Sequence, residues 1–266
     1  MKTVFVFLCL VLISTSALAD VPIEISASQS LEWDRKAKTY TARGNVVAVQ
    51  GKIRVQSDTL VAHYNDSDSG VSIRKLEAKG NVTIQSEPYV ARGTQAVYDI
   101  ATRHAVLTGD NLSVTTGSDI LTAQEKIEFF ERENRLVAKG TPQVTNGRDT
   151  ISADTMNALF KSDTKGARKA DKFTAEGNVT VKTSREIVTG DAGIYDVATQ
   201  KAILTGKVMI RQNDSWIEGR RADIDMQKGA SQLSGEGNAE TNGRVRGVFY
   251  PGAKTNPTDT KAVTMP

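Results

Sequence analysis

Cysteine, histidine, proline and aromatic residues are all scarce in this 266-residue chain, which holds one cysteine, two histidines and six prolines and is only 6% aromatic. A single cysteine allows no intramolecular disulfide and no thiolate metal cluster. Two histidines give no metal-ligand cluster, and no Gly-x-Ser-x-Gly segment is present to hold out a nucleophilic serine. An excess of one charge is missing too. Lysine and arginine number 34 against 31 aspartates and glutamates, a net +3 spread evenly along the chain, which is no footprint for nucleic acid. No apolar run reaches the ~20 residues of a membrane-spanning helix. What is left, 39% hydrophobic and 24% charged, is an ordinary soluble composition. The length suffices for one long domain or two modest ones with a buried core.

The first residues read as an address. Met1-Lys2 precedes an apolar run from Val4 to Ile13, and Ala17-Leu18-Ala19 follows. A basic start, a short apolar run and a small-residue site predict a secretory signal over residues 1–19, cleaved after Ala19. The run is about half of a membrane span, which argues against an uncleaved anchor. Cys9 lies inside the run, so it is neither a lipid anchor nor a redox site, and the exported chain has no cysteine. At the other end Pro251, Pro257 and Pro266 stand among Thr, Lys and Asn without apolar alternation. Residues 251–266 are therefore expected to be a disordered tail.

Between these ends the sequence repeats itself. Segments of the form apolar-x-Ala-x-Gly recur, among them Tyr40-Thr-Ala-Arg-Gly44-Asn-Val46, Leu76-Glu-Ala-Lys-Gly80-Asn-Val82 and Phe173-Thr-Ala-Glu-Gly177-Asn-Val179. Seven such glycines, from Gly44 to Gly237, are spaced 36, 29 and 31 residues apart and then 37, 29 and 31. The superperiod of 96 to 97 is confirmed by residues 98–109 and 195–206, which agree at eight of twelve positions. A second kind of segment alternates with the first and ends on an aromatic residue: Trp33-Asp34, Tyr64-Asn65, Tyr98-Asp99, Phe130-Glu131, Phe160-Lys161, Tyr195-Asp196. The pattern is that of a three-unit block duplicated in tandem, about 23–135 and 136–245.

The units alternate with period two. In 75–85 the even positions are Leu76, Ala78, Gly80, Val82 and Ile84, while the odd ones are polar; 172–182 repeats this with Phe173, Ala175, Gly177, Val179 and Val181. One apolar and one polar face predict antiparallel strands rather than helix. The expected fold is all-β: an elongated, open β-jelly roll of two sheets. We expect it to run as one continuous slab over residues 20–250, with fourteen to sixteen strands. One strand per sheet per repeat gives a length of roughly 35 Å at the usual strand spacing. A bulge is expected near Asp110-Asn111-Leu112, where the two copies stop matching. Small residues in the middle of the apolar face allow two readings: tight sheet-on-sheet packing, or a slot that an apolar ligand fills.

Catalytic chemistry has little to stand on. His104 corresponds to Lys201 in the second copy and His63 to Leu159, so both read as surface or turn histidines. Asp58 and Asp154, in equivalent segments, are the best paired-carboxylate candidates, but they read as turn caps at the edge of the slab. Asn81-Val-Thr83 and Asn178-Val-Thr180 fit a glycosylation sequon yet belong to the repeat and read as strand residues, and Arg220-Arg221 reads as a solvated pair. No catalytic residue, metal site or cofactor is predicted. An open slab ends in unpaired strands, which template the addition of another chain. These edges are expected within 21–33 and 244–250.

The repeated Ala-x-Gly-Asn-Val strand, the alternating aromatic-Asp strand and the signal segment resemble the OstA-like family, the LptA family of lipopolysaccharide-transport proteins. The resemblance covers about 23–245. It implies a periplasmic β-jelly roll whose apolar interior takes the acyl chains of lipopolysaccharide, the lipid A part. It also implies head-to-tail assembly into a bridge toward the outer membrane. The implied partners are an inner-membrane, LptC-like complex at the N-terminal edge and an LptD-like outer-membrane translocon at the C-terminal edge. Leu76, Ala78, Val82, Ile84, Phe173, Ala175, Val179 and Val181 would then line the lipid path. The alternative from another class is an exported β-solenoid acting on polysaccharide, as enzyme or adhesin, and it predicts a convergent acidic cluster or an exposed aromatic ladder. A third reading is the soluble domain of a sister transport component.

Overall fold

The computed structural model describes residues 22–67, 70–162, 168–228, 230–235 and 244–250. The predicted signal, with Cys9, and the tail from residue 251 lie outside the described residues. The described chain forms twenty strands, all paired antiparallel. They are β1 (Glu24–Ser26), β2 (Ser30–Asp34), β3 (Thr39–Gln50), β4 (Ile53–Ser67), β5 (Gly70–Ser86), β6 (Tyr89–Asp99) and β7 (His104–Thr108). Next come β8 (Leu112–Thr116), β9 (Asp119–Ala123), β10 (Lys126–Phe130), β11 (Arg135–Lys139), β12 (Gln143–Asn146), β13 (Asp149–Ser152) and β14 (Thr155–Ser162). The rest are β15 (Arg168–Lys182), β16 (Ile187–Asp196), β17 (Lys201–Gln212), β18 (Ser215–Asp225), β19 (Ala230–Ser234) and β20 (Arg246–Val248).

The long strands do not stay in one sheet. The first half of β3 pairs with β2 and the second half with β1, and register shifts part-way along β3 to β6 and β15 to β18 mark the crossing. In the middle of the chain the same crossing separates β7 from β8, β9 from β10, β11 from β12 and β13 from β14. One sheet therefore runs β2-β3-β4-β5-β6-β7-β10-β11-β14-β15-β16-β17-β18-β19. The other runs β1-β3-β4-β5-β6-β8-β9-β12-β13-β15-β16-β17-β18-β20. The two are joined along one corner, and their hairpin turns lie at the opposite, free margins. Each repeat thus supplies two strands to each sheet rather than one. At ~4.8 Å per strand the slab is about 60 Å long, nearly twice the expectation, and the strand count exceeds it as well.

The corner explains the Gly-Asn signature. Between the pairs Lys79↔Gln95 and Val82↔Gly93, the two residues Gly80 and Asn81 stand opposite one. Both have left-handed backbone, φ 75° and 47°, and Gly177 and Asn178 repeat this at 75° and 48°. Glycine and asparagine are the residues that enter this region most readily. So Asn81 and Asn178 lie within strands, but as the bulge that turns the strand from one sheet into the other. Asp58 and Asp154 do not cap turns at the slab's edge as expected. They sit at the corner, where Asn81 Nδ2 and Asn178 Nδ2 each donate to the aspartate Oδ2 at 2.9 Å. The Asp154 amide also donates to Gly177 O at 2.9 Å. Near residues 109–112, where one bulge was expected, the strand breaks outright: Gly109 has φ 103° and Asn111 54°, separating β7 from β8.

Inward-facing residues form two clusters. The first runs from Ala42 to Phe160 and the second from Ala153 to Ala222, with Met156 packed against both. Phe129, not Phe130, faces in at 7% exposure, while Phe130 stacks outside on His104 with ring centroids 4.3 Å apart.

The turns at the free margin of the first sheet are closed by aspartates. Asp99 accepts from the Thr102 amide and hydroxyl, both at 2.8 Å, and Asp196 does the same with Thr199. The amide bond first, then the hydroxyl, hold both carboxyls below the usual aspartate range. A carboxyl whose pKa is lower folded than unfolded stabilises the fold above the unfolded value of roughly 4 and loses that contribution as pH falls through the folded value. The Asp99→Asn/Asp196→Asn variant should therefore melt below the parent at pH 7. The gap should close as thermal melts are repeated down to about pH 2. A gap that stays constant with pH would show that the charges contribute nothing.

Candidate functional site

Cross-strand register places the inward side chains in continuous rows. In the first sheet the row near the corner reads Leu31, Ala42, Leu60, Ala78, Ala96, Leu107 and Ile127, then Ala138, Met156, Ala175, Gly193, Leu204, Ala222 and Leu233. Each is paired across the strands with the next, so the row spans the sheet from β2 to β19. The second sheet answers with Ile25, Ala48, Val55, Ile84, Ala91, Val114 and Leu121, then Val144, Ile151, Val181, Val188, Ile210, Ile217 and Gly247. No charged residue interrupts either row. Together the rows form an apolar interior between the two sheets, closed at the corner and running the length of the described slab.

The row nearer the free margin of the first sheet is richer in aromatics: Trp33 pairs with Tyr40, Leu76 with Tyr98 and Phe173 with Tyr195. Its polar handles are turned to partners. Trp33 Nε1 donates to Tyr64 Oη at 2.8 Å, and Tyr98 Oη donates to Glu131 Oε2 at 2.9 Å. The second sheet's free margin is polar, with Asn146 donating to the buried Asp119 and the Thr183–Glu186 turn closing β15 onto β16. One lip is amphipathic and the other polar.

All eight predicted lining residues belong to this interior, split between the sheets. Phe173, Ala175, Val179 and Val181 come together around a cavity of about 140 Å³, with Gly193, Leu204 and Ile224 completing its apolar wall. Leu76, Ala78, Val82 and Ile84 lie in the first copy, where Ala78 and Val82 are fully packed. Gly193, Leu204 and Ile224 escape a reading of the sequence because only the cross-strand register shows that they face the same space.

The candidates for chemistry are drawn apart. His63 and His104 lie on the outer face of the first sheet, with Nε2 at 3.3 Å from Glu77 Oε1 and 3.4 Å from Glu128 Oε1. Lys75 stands 2.7 Å from Glu77, and its hydrogen bond is the main cause that holds the Glu77 carboxyl below the usual range. Arg220 is exposed, and Arg221 forks onto Asp223 at 2.8 and 2.7 Å. Among the described residues no group of histidine, cysteine, aspartate and glutamate is placed to hold a metal ion.

Among the described residues β1, most of β2 and β20 fall within the expected edge segments, but each end has two strands, and β19 lies outside the expected 244–250. β1 and β2 form the N-terminal edges, and β19 and β20 the C-terminal ones. Apolar side chains lie open there: Trp33 is 52% exposed beside Leu31, and Phe249 is 71% exposed beside Val245 and Tyr250. Among the described residues no helix is long and apolar enough to cross a membrane.

Fold and interior together define the class, an open two-sheet β-jelly roll with an apolar interior and, among the described residues, edge strands at both ends. The family described as LptA/(LptD N-terminal domain) LPS transport protein matches residues 24–133 and again 125–230. The chain belongs to this family. It is 26% identical over 151 residues to an uncharacterized protein of Rhizobium meliloti (strain 1021), covering 54% of this chain and 78% of that protein. A solved structure, LptH from Pseudomonas aeruginosa, is described as the LptA-homologous periplasmic component of the lipopolysaccharide transport device. It aligns over 88% of this chain and 99% of its own, at 14% identity and a TM-score of 0.23.

Proposed function

We propose that this chain binds lipopolysaccharide through its acyl chains and carries it across the periplasm as one segment of a head-to-tail protein bridge to the outer membrane. The observation that carries this reading is the unbroken pair of apolar rows reaching from one edge of the molecule to the other. An acyl chain leaving water gains ~0.8 kcal/mol per buried CH₂, so an interior of this kind shelters a lipid whose sugars remain outside. Family membership supports the same substrate class.

In this reading β1 and β2 accept an inner-membrane, LptC-like complex, and β19 and β20 meet an LptD-like translocon or a second copy of the chain. Strand addition at those edges extends both sheets and the slot between them. Residues 20–250 then act as one slab rather than two beads, after the signal is removed on export. Carriage needs no catalytic group; the drive comes from the complex at the N-terminal edge.

Photo-crosslinking in cells tests the reading. Benzophenone side chains placed inward at Leu76 or Phe173 should capture lipopolysaccharide, and those placed outward at Lys79 or Thr180 should not. Capture at the outward positions alone would reject it. A glycan polymer without acyl chains bound by the purified protein would favour the polysaccharide reading instead.

A further inference from the structure

The two copies follow one pattern but do not fill their interiors equally. Leu107 corresponds to Leu204 and Ala105 to Ala202, each 97 residues on. Their neighbours across the strands differ. Leu107 lies between Ala96 and Ile127, whereas Leu204 lies between Gly193 and Ala222. Ala105 faces Phe129, whereas Ala202 faces Ile224. At all three positions the second copy carries the smaller side chain. Exchanges that run the other way include Leu76 to Phe173 and, in the second sheet, Ala91 to Val188, Val55 to Ile151 and Val114 to Ile210; Phe173, Val188 and Ile151 form part of the cavity wall.

A pair of equivalent glycines shows the result. A Cβ at Gly93 would lie 2.9 Å from both Leu107 Cδ1 and Leu112 Cδ2. At Gly190 the nearest side-chain atom, Leu204 Cδ2, is 3.5 Å away, and at Gly193 it is Val179 Cγ1 at 3.7 Å. Around Gly93 the first copy is packed shut by Leu107 and Leu112; beside Gly193 and Leu204 the second is hollow. Its cavity of about 140 Å³ matches in size the ~150 Å³ apolar cavities that stay dry and take up benzene. Walls of Ala175, Val179, Leu204 and Ile224 suit the end of a saturated acyl chain. Thr183 and Glu186 lie at the rim, where a polar head group remains hydrated.

Resting on the lipid-binding reading above, we propose that the second copy is the resident acyl-chain site. The first copy is a closed segment that admits a chain only when its sheets spread. A lipid in transit is therefore held near the C-terminal half and passes the N-terminal half without dwelling there.

The test uses the purified full-length chain and a 16-carbon fatty acid carrying a diazirine, with labelled peptides mapped by mass spectrometry. Labelling should fall within 136–226 and exceed that within 42–114 by more than about tenfold, the effect of burying two further methylenes. The Gly193→Ala/Ala222→Ile/Ile224→Phe variant, which gives the second copy residues that the first already tolerates, should abolish it. Conversely, Ile127→Ala/Phe129→Ile should open the first copy to label. Equal labelling of both copies in the parent protein overturns this inference and leaves acyl-chain binding standing. Labelling of neither overturns the inference together with the lipid reading. The parent-protein map decides the matter even if a variant fails to fold.

Discussion

A Gly177→Ala variant should lose about 2–4 kcal/mol of folding stability, measured as a drop in the urea midpoint at unchanged m-value. Two effects add at this position. The backbone has φ 75°, which costs an L-residue roughly 1–2 kcal/mol. The new Cβ would also collide with the Asp154 carboxylate, which closes over the glycine while accepting from Asn178. Gly147 separates the two contributions. It has φ 58°, but a Cβ placed on it would meet no atom within 4 Å, so Gly147→Ala should lose only the backbone part, about 1 kcal/mol. Removing the obstruction with Asp154→Ala in the Gly177→Ala background should cost less than the two single changes added together. Additivity within error would show that the carboxylate does not press on this corner.

The second large effect lies in the packed copy. Leu112→Ala should cost about 2–5 kcal/mol, the usual range for a leucine removed from a core that cannot collapse onto the gap. Leu112 is 1% exposed and meets Gly93, a position with no side chain to move in. Its neighbours Val114 and Ala123 are tied into ladders on either side, so the sheets hold the space open. Val208→Ala, at a 1% exposed position in the second copy, removes fewer buried carbons and should cost less. Equilibrium denaturation of the two variants measures the difference; equal losses would mean that the copies are equally well packed.

Much of this molecule is legible in its sequence because the side-chain period of a strand is two. Leu76, Ala78, Val82 and Ile84 all face inward as their even positions require, and the same holds for Phe173, Ala175, Val179 and Val181. The corner is hidden by that very regularity. Ala78 and Val82 keep the same parity on either side of the Gly80-Asn81 bulge, so the alternation reads straight through a point where the strand changes sheets. The expected slab length falls short for this reason: a strand that bends serves both sheets, and in β5 and β15 the alternation carries no mark of the bend, although the partners β4, β6, β16 and β18 change parity there. Phe129 and Phe130 show a second limit, since adjacent aromatics give no parity of their own and only pairing with Ala105 and His104 fixes which one enters the core. The cavity is out of reach for a third reason. Gly193, Leu204 and Ile224 are far apart along three strands, and their shared space depends on register.

The corner joining the sheets also determines what it takes to part them. The backbone bonds between neighbouring strands run along each sheet, so every strand of β3 to β6 and of β15 to β18 is laced sideways to its neighbours on both arms of its bend. Across the slot the arms face each other through rows of methyl, methylene and ring carbons. The molecule is built like a bound book: the pages can fan from the spine without a stitch being cut. Letting in an apolar guest exchanges one set of dispersion contacts for another, while the hydrogen bonds that define the fold are left in place. A shape of this kind can yield locally, one pair of strands at a time, and close again behind whatever has passed.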